Sequence, residues 1–356
     1  MKKHAIIPIF IPHRGCPNDC VFCNQRKITA RTDDVTPDDA RGIIDTWLTT
    51  LRDSGGTVEI AFYGGSFTGL SIAEQSEFLA VAYEYKEKGL ADKIHLSTRP
   101  DYIDRGILDN LRKYEVDTIE LGVQSFDDEV LRASNRGHTA ADVYKAVRLI
   151  KDYGFELGIQ LMIGLPEDSA ESCIFSARET AALKPSLARL YPTIVLDETE
   201  LYNMYLRGEY TPLSRDEAVS RTKSMYRILS DAGITIMRVG LKSTDIIGEG
   251  GAINGGTYHP AFRQLVEGAI IREDLEPKLQ EIADCAAASG MTAGRIPVTA
   301  CTNSRWFSNL IGHKACNKQY FAALFPGLKI TYSVDSSLPD GMVTCRRTYC
   351  SDDRVY

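Results

Sequence analysis

The chain has 356 residues, 44% hydrophobic and 25% charged, with a net charge of -7. That is the composition of a globular protein; it excludes a disordered or fibrous chain, and the charge excludes a polyanion-binding surface over the whole molecule. No apolar run approaches the roughly 18 residues that span a bilayer.

The short apolar start Ala5–Ile11, broken by Pro8, reads as a strand rather than a secretory leader, so a cytoplasmic protein with no membrane contact is expected. Thr36-Pro37-Asp38-Asp39 then opens a helix: a capping hydroxyl, Pro in the first turn, and acids at the positive end of the dipole. It runs to about Arg52, before Gly55-Gly56. Thr57–Tyr63 is a strand closed by Gly64-Gly65, and Ser71–Lys88 has helical spacing. Ile94–Thr98 is a strand, Asp101 caps a helix to about Tyr114, and Thr118–Val123 is a strand. A helix at Thr139–Tyr153, a strand at Glu156–Ile163, a helix at Ser169–Lys184 and a strand at Leu187–Leu196 follow. Arg215–Ala232 reads as a helix and Thr235–Leu241 as a strand. The stretch from Gly248 to Gly256 reads as a flexible loop, and Ala261–Ser289 as a helix.

About six strand–helix units in series predict an α/β fold, a partial parallel (β/α)6-type TIM-like barrel with a small C-terminal α/β extension. The domain boundary is expected at 245/246, giving a barrel over 1–245 and an extension over 246–356. Gly64-Gly65-Ser66, Ser97-Thr98-Arg99-Pro100, Gln124-Ser125 and Gly164-Leu165-Pro166 all follow strands. Each is ordinary turn chemistry by itself; their recurrence at C-terminal strand ends points to a shared site.

Nine cysteines are present, and Cys16, Cys20 and Cys23 fall within eight residues, directly after the first strand. In a reducing compartment such a cluster means metal or redox chemistry sooner than disulfides. Cuboidal iron–sulfur clusters usually take four cysteines, and this run supplies three, which would leave one iron open. A zinc site with His13 as fourth donor is the alternative. Cys301, Cys316, Cys345 and Cys350 fit no compact ligand knuckle and read as buried or incidental thiols sooner than a second metal site.

The run Cys16-x-x-x-Cys20-x-Phe22-Cys23 resembles the signature of the radical S-adenosylmethionine (SAM) superfamily. Tyr63-Gly64-Gly65-Ser66-Phe67, Ser97-Thr98-Arg99-Pro100-Asp101, Leu121-Gly122-Val123-Gln124-Ser125, Asn135-Arg136-Gly137-His138-Thr139 and Leu161-Met162-Ile163-Gly164-Leu165-Pro166 match it in order and spacing. Tyr191-Pro192-Thr193, Val239-Gly240-Leu241 and His259-Pro260-Ala261-Phe262 make the Elongator catalytic subunit, which modifies wobble uridine in tRNA, a closer likeness than the oxygen-independent coproporphyrinogen oxidases. The likeness covers roughly residues 5 to 270. No room is expected for the acetyltransferase-like domain of Elongator subunits.

The resemblance implies a [4Fe–4S] cluster on Cys16, Cys20 and Cys23 and S-adenosylmethionine as cofactors. It also implies an electron donor such as flavodoxin or ferredoxin, and a 5′-deoxyadenosyl radical that takes hydrogen from the substrate. Gly64, Gly65, Ser66, Ser97, Gln124, Arg136 and Gln160 fall where such enzymes contact the cofactor, with Arg136 positioned for its carboxylate. His138 is expected to be structural, capping or bracing Thr139. A branched side chain at Gly65 is expected to spare the cluster and block the cofactor. The substrate is expected to be RNA, most simply tRNA; the alternatives are a small molecule such as a tetrapyrrole, and a non-catalytic iron–sulfur protein. In favour of RNA, residues 285–334 contain no acid and carry Arg295, Arg305, Lys314, Lys318 and Lys329, a local +5. Trp306, Phe307, Tyr320, Phe321, Phe325 and Tyr332 are interleaved with them. Basic charge among aromatics suits unpaired bases, though most of these rings read as core. Arg26, Lys27 and Arg31 would add to the same face.

Overall fold

The computed structural model describes residues 4–11, 14–16, 20–24, 35–51, 56–241, 253–288 and 296–348. His13, Arg26, Lys27, Arg31, Arg295 and Cys350 lie outside them. The chain divides into two compact units, Met1–Pro260 and Ala261–Tyr356. The described residues 253–260 group with the first unit. Among the described residues, no helix is long and apolar enough to cross a membrane.

The first unit alternates strand and helix. In chain order it has β1 (His4–Ile11), α1 (Pro37–Leu51), β2 (Thr57–Gly64), α2 (Ile72–Glu87), β3 (Lys93–Thr98), α3 (Arg105–Lys113) and β4 (Thr118–Gln124). Next come α4 (Asp128–Ala133), α5 (Ala140–Asp152), β5 (Glu156–Ile163), α6 (Ala170–Leu183), β6 (Leu187–Pro192), β7 (Ile194–Leu196), α7 (Glu200–Leu206), α8 (Arg215–Asp231), β8 (Thr235–Val239) and β9 (Ile253–Gly256). Seven strands form one parallel sheet in the order β1-β2-β3-β4-β5-β6-β8, a curled half-barrel of the TIM-like class. Each helical connection returns the chain to the end of the sheet where the strands begin, so all seven C-terminal strand ends lie along one rim.

Side-chain alternation sorts each strand between two faces. Ile7, Ile9, Ile60, Phe62, Ile94, Leu96, Ile119 and Leu121 are essentially fully buried and form the helix-covered face. The inner face takes the intervening residues, and here polar side chains interrupt the apolar pattern: Glu59, His95, Glu120 and Arg189. Helix starts follow the sequence signals closely. Ser71 with Glu74, Thr139 with Asp142 and Ser214 with Glu217 each form a reciprocal capping box.

Three expectations need correction. Asp101 does not cap α3; it pairs with Arg99, and Asp104 is the cap, its carboxylate accepting from the Ile107 N–H at 2.9 Å. The segment expected as one strand over Leu187–Leu196 breaks after Pro192, which has no N–H to carry the ladder forward. Its second half, β7, pairs antiparallel with β9 instead. Part of the glycine-rich stretch expected as a flexible loop is therefore strand, with Gly256 at φ +98°.

The second unit packs α9 (Phe262–Ala288), α10 (Phe307–Ile311) and α11 (Cys316–Leu324) with a three-stranded sheet, β10 (Ile296–Thr302), β11 (Leu328–Val334) and β12 (Thr344–Arg347). The strand order is β11-β10-β12, parallel on one side of β10 and antiparallel on the other. Its core includes Leu275, Leu279, Val298, Leu310, Phe321 and Phe325.

Candidate active site

Two loops meet at the rim. The first carries the three cysteines after β1; the second is Gly65–Gly69, after β2. Register pairs Ile11 with Gly64, and past the strand ends the pairing continues: the Gly65 N–H donates to the Ile11 carbonyl at 2.9 Å and the Ser66 N–H to the Arg14 carbonyl at 3.2 Å. Glycines permit this approach. A Cβ on Gly65 would lie 2.0 Å from the Arg14 carbonyl oxygen, one on Gly15 2.2 Å from that of Ser66, and one on Gly69 1.9 Å from that of Gly15. Real Cβ atoms do not tolerate such distances, so the loops interlock only as glycines. Gly64 and Gly65 thus shape the cysteine loop itself, before any ligand is considered.

The far side of that loop is also pinned. The Val21 N–H donates to the Ser134 carbonyl at 3.2 Å, after α4, and the Val21 carbonyl accepts from the Leu201 N–H at 2.7 Å, in α7. Val21 is buried with Val195, Leu201 and Tyr210, and Phe22 packs on the same cluster. The aromatic before the last cysteine is an anchor. Cys20 is buried, and Cys16 and Cys23 are half-buried.

Positive charge surrounds them. Arg136 is buried; its Nη1 lies 3.2 Å from Cys20 Sγ, and its Nη2 donates to the Gly122 carbonyl at 2.6 Å. Arg99 is also buried. Burial disfavours its charge, but Asp101 and then the sulfurs of Cys16 and Cys20 hold its pKa above the usual arginine value. A guanidinium N–H facing sulfur suits a thiolate, the form that binds metal. Among the described residues, no three His, Cys, Asp or Glu side chains converge so as to hold one metal ion. A cuboidal cluster takes its thiolates on separate iron atoms, and three cysteines beside the guanidiniums of Arg136 and Arg99 are a donor set that suits one.

The other expected contacts divide. Gln124 and Gln160 are joined, the Gln160 amide donating to Gln124 Oε1 at 3.1 Å, and Gln124 holds a left-handed φ of +70°. Such a backbone is uncommon outside glycine and is kept where surroundings impose it. Ser97 is half-buried, with only a long 3.5 Å approach to the Phe62 carbonyl. Ser66 is different: fully buried, its hydroxyl bonds Thr98 Oγ1 at 3.0 Å and accepts from the Arg99 N–H at 3.0 Å. Its side chain braces the end of β3, so any cofactor contact falls to its backbone. His138 does not brace Thr139; its Nε2 meets the Val123 carbonyl at 3.2 Å. Burial, with Arg136 adding, pushes its pKa down to about 4. The sequence does not single out Arg14, Gly15, Gly69 and Arg99 as site residues; the available signal is a glycine on each side of the crossing.

A model of the radical SAM superfamily matches residues 10–178, and one of the radical SAM C-terminal domain matches residues 185–272. The chain belongs to the radical SAM superfamily. It is accordingly an enzyme of that class, whose cofactors are a [4Fe–4S] cluster and S-adenosylmethionine. It is 31% identical over 295 residues to a tRNA uridine(34) acetyltransferase of Methanocaldococcus jannaschii, across 68% of this chain and 54% of that protein. It is 28% identical over 295 residues to Elongator complex protein 3 of Schizosaccharomyces pombe, across 66% of this chain and 53% of that one. The chain thus spans about half the length of these curated relatives. The structure of archaeal Methanocaldococcus infernus Elp3 with an N-terminal deletion superposes with a TM-score of 0.61 at 24% identity, covering 77% of this chain and 64% of that one, and shares the fold.

Proposed function

We propose that this radical SAM enzyme modifies tRNA in the cytoplasm, with Cys16, Cys20 and Cys23 as the ligands of its cluster and flavodoxin or ferredoxin as electron donor. The observation that carries the site is the interlock of the two loops beneath a guanidinium that faces Cys20. The names of the curated relatives, tRNA uridine(34) acetyltransferase and Elongator complex protein 3, support the substrate class.

When bound, cluster and S-adenosylmethionine together supply one-electron cleavage of a sulfonium–carbon bond and a radical able to take hydrogen from the substrate. The chain's own residues hold and shield. Arg136 and Arg99 compensate thiolate charge. The Gly64-Gly65-Ser66 backbone presents polar atoms beside the cysteine loop, and Ser97 and the Gln124–Gln160 pair offer neutral hydrogen-bonding groups on the inner face. Buried Val21 and half-buried Phe22, packed in the cluster that holds Leu201 of α7, back the loop with apolar surface. Polar groups at the rim and apolar groups beneath it are what the protein contributes in a cofactor enzyme.

Anaerobically purified protein should contain about four iron and four sulfide per chain, cleave S-adenosylmethionine to 5′-deoxyadenosine when reduced, and bind bulk tRNA. Cys20→Ala should lose at least nine-tenths of the iron and all of the cleavage. Stoichiometric zinc without iron would end the ligand assignment; absence of tRNA binding would end the substrate assignment and leave the class intact.

A further inference from the structure

Every charged side chain on the first six strands stands in an ion pair, and most of these pairs join into one chain across the inner face. His4 Nε2 lies 2.6 Å from Glu59, whose other oxygen lies 2.6 Å from His95 Nδ1. His95 Nε2 lies 3.4 Å from Glu120, and Glu120 lies 2.8 Å from Arg189 Nε. Arg189 then donates through Nη2 to the Tyr63 hydroxyl at 2.5 Å, with its guanidinium 4.8 Å from the Tyr63 ring centre. Lys93 is paired separately with Glu156 at 2.7 Å. Burial would raise both carboxylates, but His95, with His4 and Arg189, holds them below the usual range, so the chain is an array of balanced ions. Such arrays are costly to bury and are poor stability devices, so what they orient is the question to ask.

They orient Tyr63. Arginine has donors only, so at Arg189 the phenol oxygen must be the acceptor. The phenol's own hydrogen is left over, and no acceptor for it exists among the described residues. Burial also keeps the phenol protonated, by raising its pKa. The ring is held by Phe10 at 6.0 Å and by His95, edge-on, at 5.5 Å. Tyr63 immediately precedes Gly64-Gly65 on the inner face, and Arg189, which holds its hydroxyl, is in register with Gln160.

We propose that Tyr63 binds substrate directly, donating its O–H to a neutral acceptor such as a pyrimidine carbonyl, with Arg189, anchored on Glu120, as its positioning residue. With the nearby charges already balanced, these six strands offer nothing to hold a carboxylate or phosphate and favour a neutral lactam. The choice of a pyrimidine rests on the tRNA reading.

The test uses the full chain, reconstituted anaerobically with S-adenosylmethionine, and two RNA hairpins: one with a single uridine in an adenosine loop, the other abasic at that position. Both carry the same phosphates, so their difference reports interactions with the base. The wild type should prefer the uridine hairpin by about tenfold, the scale of one well-made hydrogen bond. Tyr63→Phe should cut that preference to about twofold. Arg189→Lys keeps the charge but lacks the fork that spans Glu120 and Tyr63, and should give an intermediate preference. A merely structural role would weaken both hairpins alike. Full preference in Tyr63→Phe, equal weakening of both hairpins, or equal binding of both by the wild type overturns the proposal. Binding of neither by the wild type fails the tRNA reading, and the pyrimidine acceptor falls with it.

Discussion

The two units of this chain dispose of their cations differently. In the first, charged and hydrogen-bonding groups are inside: Glu59, His95, Arg99, Glu120, Arg136 and Arg189 are all buried and each has a fixed partner. In the second, Glu267 is buried between Arg263 and Asn309, and the described cations of residues 296–334 are outside. Lys314, Lys318 and Lys329 are exposed, and Arg305, also exposed, pairs with Asp340. The aromatic rings interleaved with them in sequence turn inward. Trp306, Phe321 and Phe325 are core, while Phe307, Tyr320 and Tyr332 pack against it; the Tyr320 hydroxyl is bonded to Glu276 at 2.8 Å. Interleaving in sequence therefore does not mean interleaving on a surface. Trp306, Phe321 and Phe325 are withdrawn from any surface, which leaves the cations and the half-buried Phe307, Tyr320 and Tyr332 for a grip on RNA.

The strongest way to break the comparison is to add one carbon atom to the first unit. Gly65→Ala places a Cβ 2.0 Å from the Arg14 carbonyl, backbone against backbone, with no flexible side chain to yield. The cysteine loop must shift, so reconstituted iron should fall below half of the wild-type value while far-UV circular dichroism stays near native. This replaces the expectation that a substitution at Gly65 would spare the cluster. Gly69→Ala, aimed at the Gly15 carbonyl at 1.9 Å, should behave the same way. Full iron content in both variants would show that the interlock does not position the cysteines.

How much of this was legible follows the same division. The cysteine run, the glycine pair and the capping hydroxyls are local signals, with their meaning carried by neighbours a few residues away. The polar chain from His4 to Arg189 is not local. Its members come from five strands and meet only through sheet register, which a single sequence does not display. Its one trace is a charge in mid-strand: Glu59, His95, Glu120 and Arg189 each interrupt an apolar run. Gly15 and Gly69 were readable as glycines but not as partners, since 54 residues separate Gly15 from Gly69 in sequence. Pro192, by contrast, was a local signal for the strand break that the apolar run through Leu196 concealed.

A smaller effect sharpens the reading of the second unit. Lys314→Glu with Lys318→Glu changes two exposed cations without touching the core. If they bind phosphate, each removes a counterion-release contribution, and the slope of log affinity against log salt should fall by about 0.7–0.9 for each lysine–phosphate pair removed. Affinity for bulk tRNA at low salt should fall roughly tenfold or more, with iron content as in the wild type. Unchanged affinity and slope would put the RNA-binding surface elsewhere.

The smallest expected effect concerns His138 and the acid limit of the first unit. Its imidazole is buried, and desolvation, followed by the charge of Arg136, lowers its pKa to about 4 from an ordinary 6.5. Between those values the unfolded chain binds a proton that the folded chain does not, so stability rises with pH across that window and is lost as pH falls from about 6.5 towards 4. Glu59 and Glu120 are also acid-sensitive, but their folded pKa values lie below the ordinary 4.5, so their contribution is lost mainly at lower pH. His95, buried but raised above 6.5 by Glu120 and Glu59, gains stability as pH falls through the same interval, and Asp168 is raised by burial, so the His138 contribution is read from the difference between the wild type and a variant that cannot protonate there. His138→Gln retains an amide N–H to replace the bond to the Val123 carbonyl and cannot become charged. The wild type should lose several degrees of melting temperature between pH 6.5 and 5, followed anaerobically by circular dichroism, and His138→Gln should lose about half as much. Equal slopes in the two proteins would mean that His138 is already free to protonate in the folded state, and that the pocket beside Arg136 admits water.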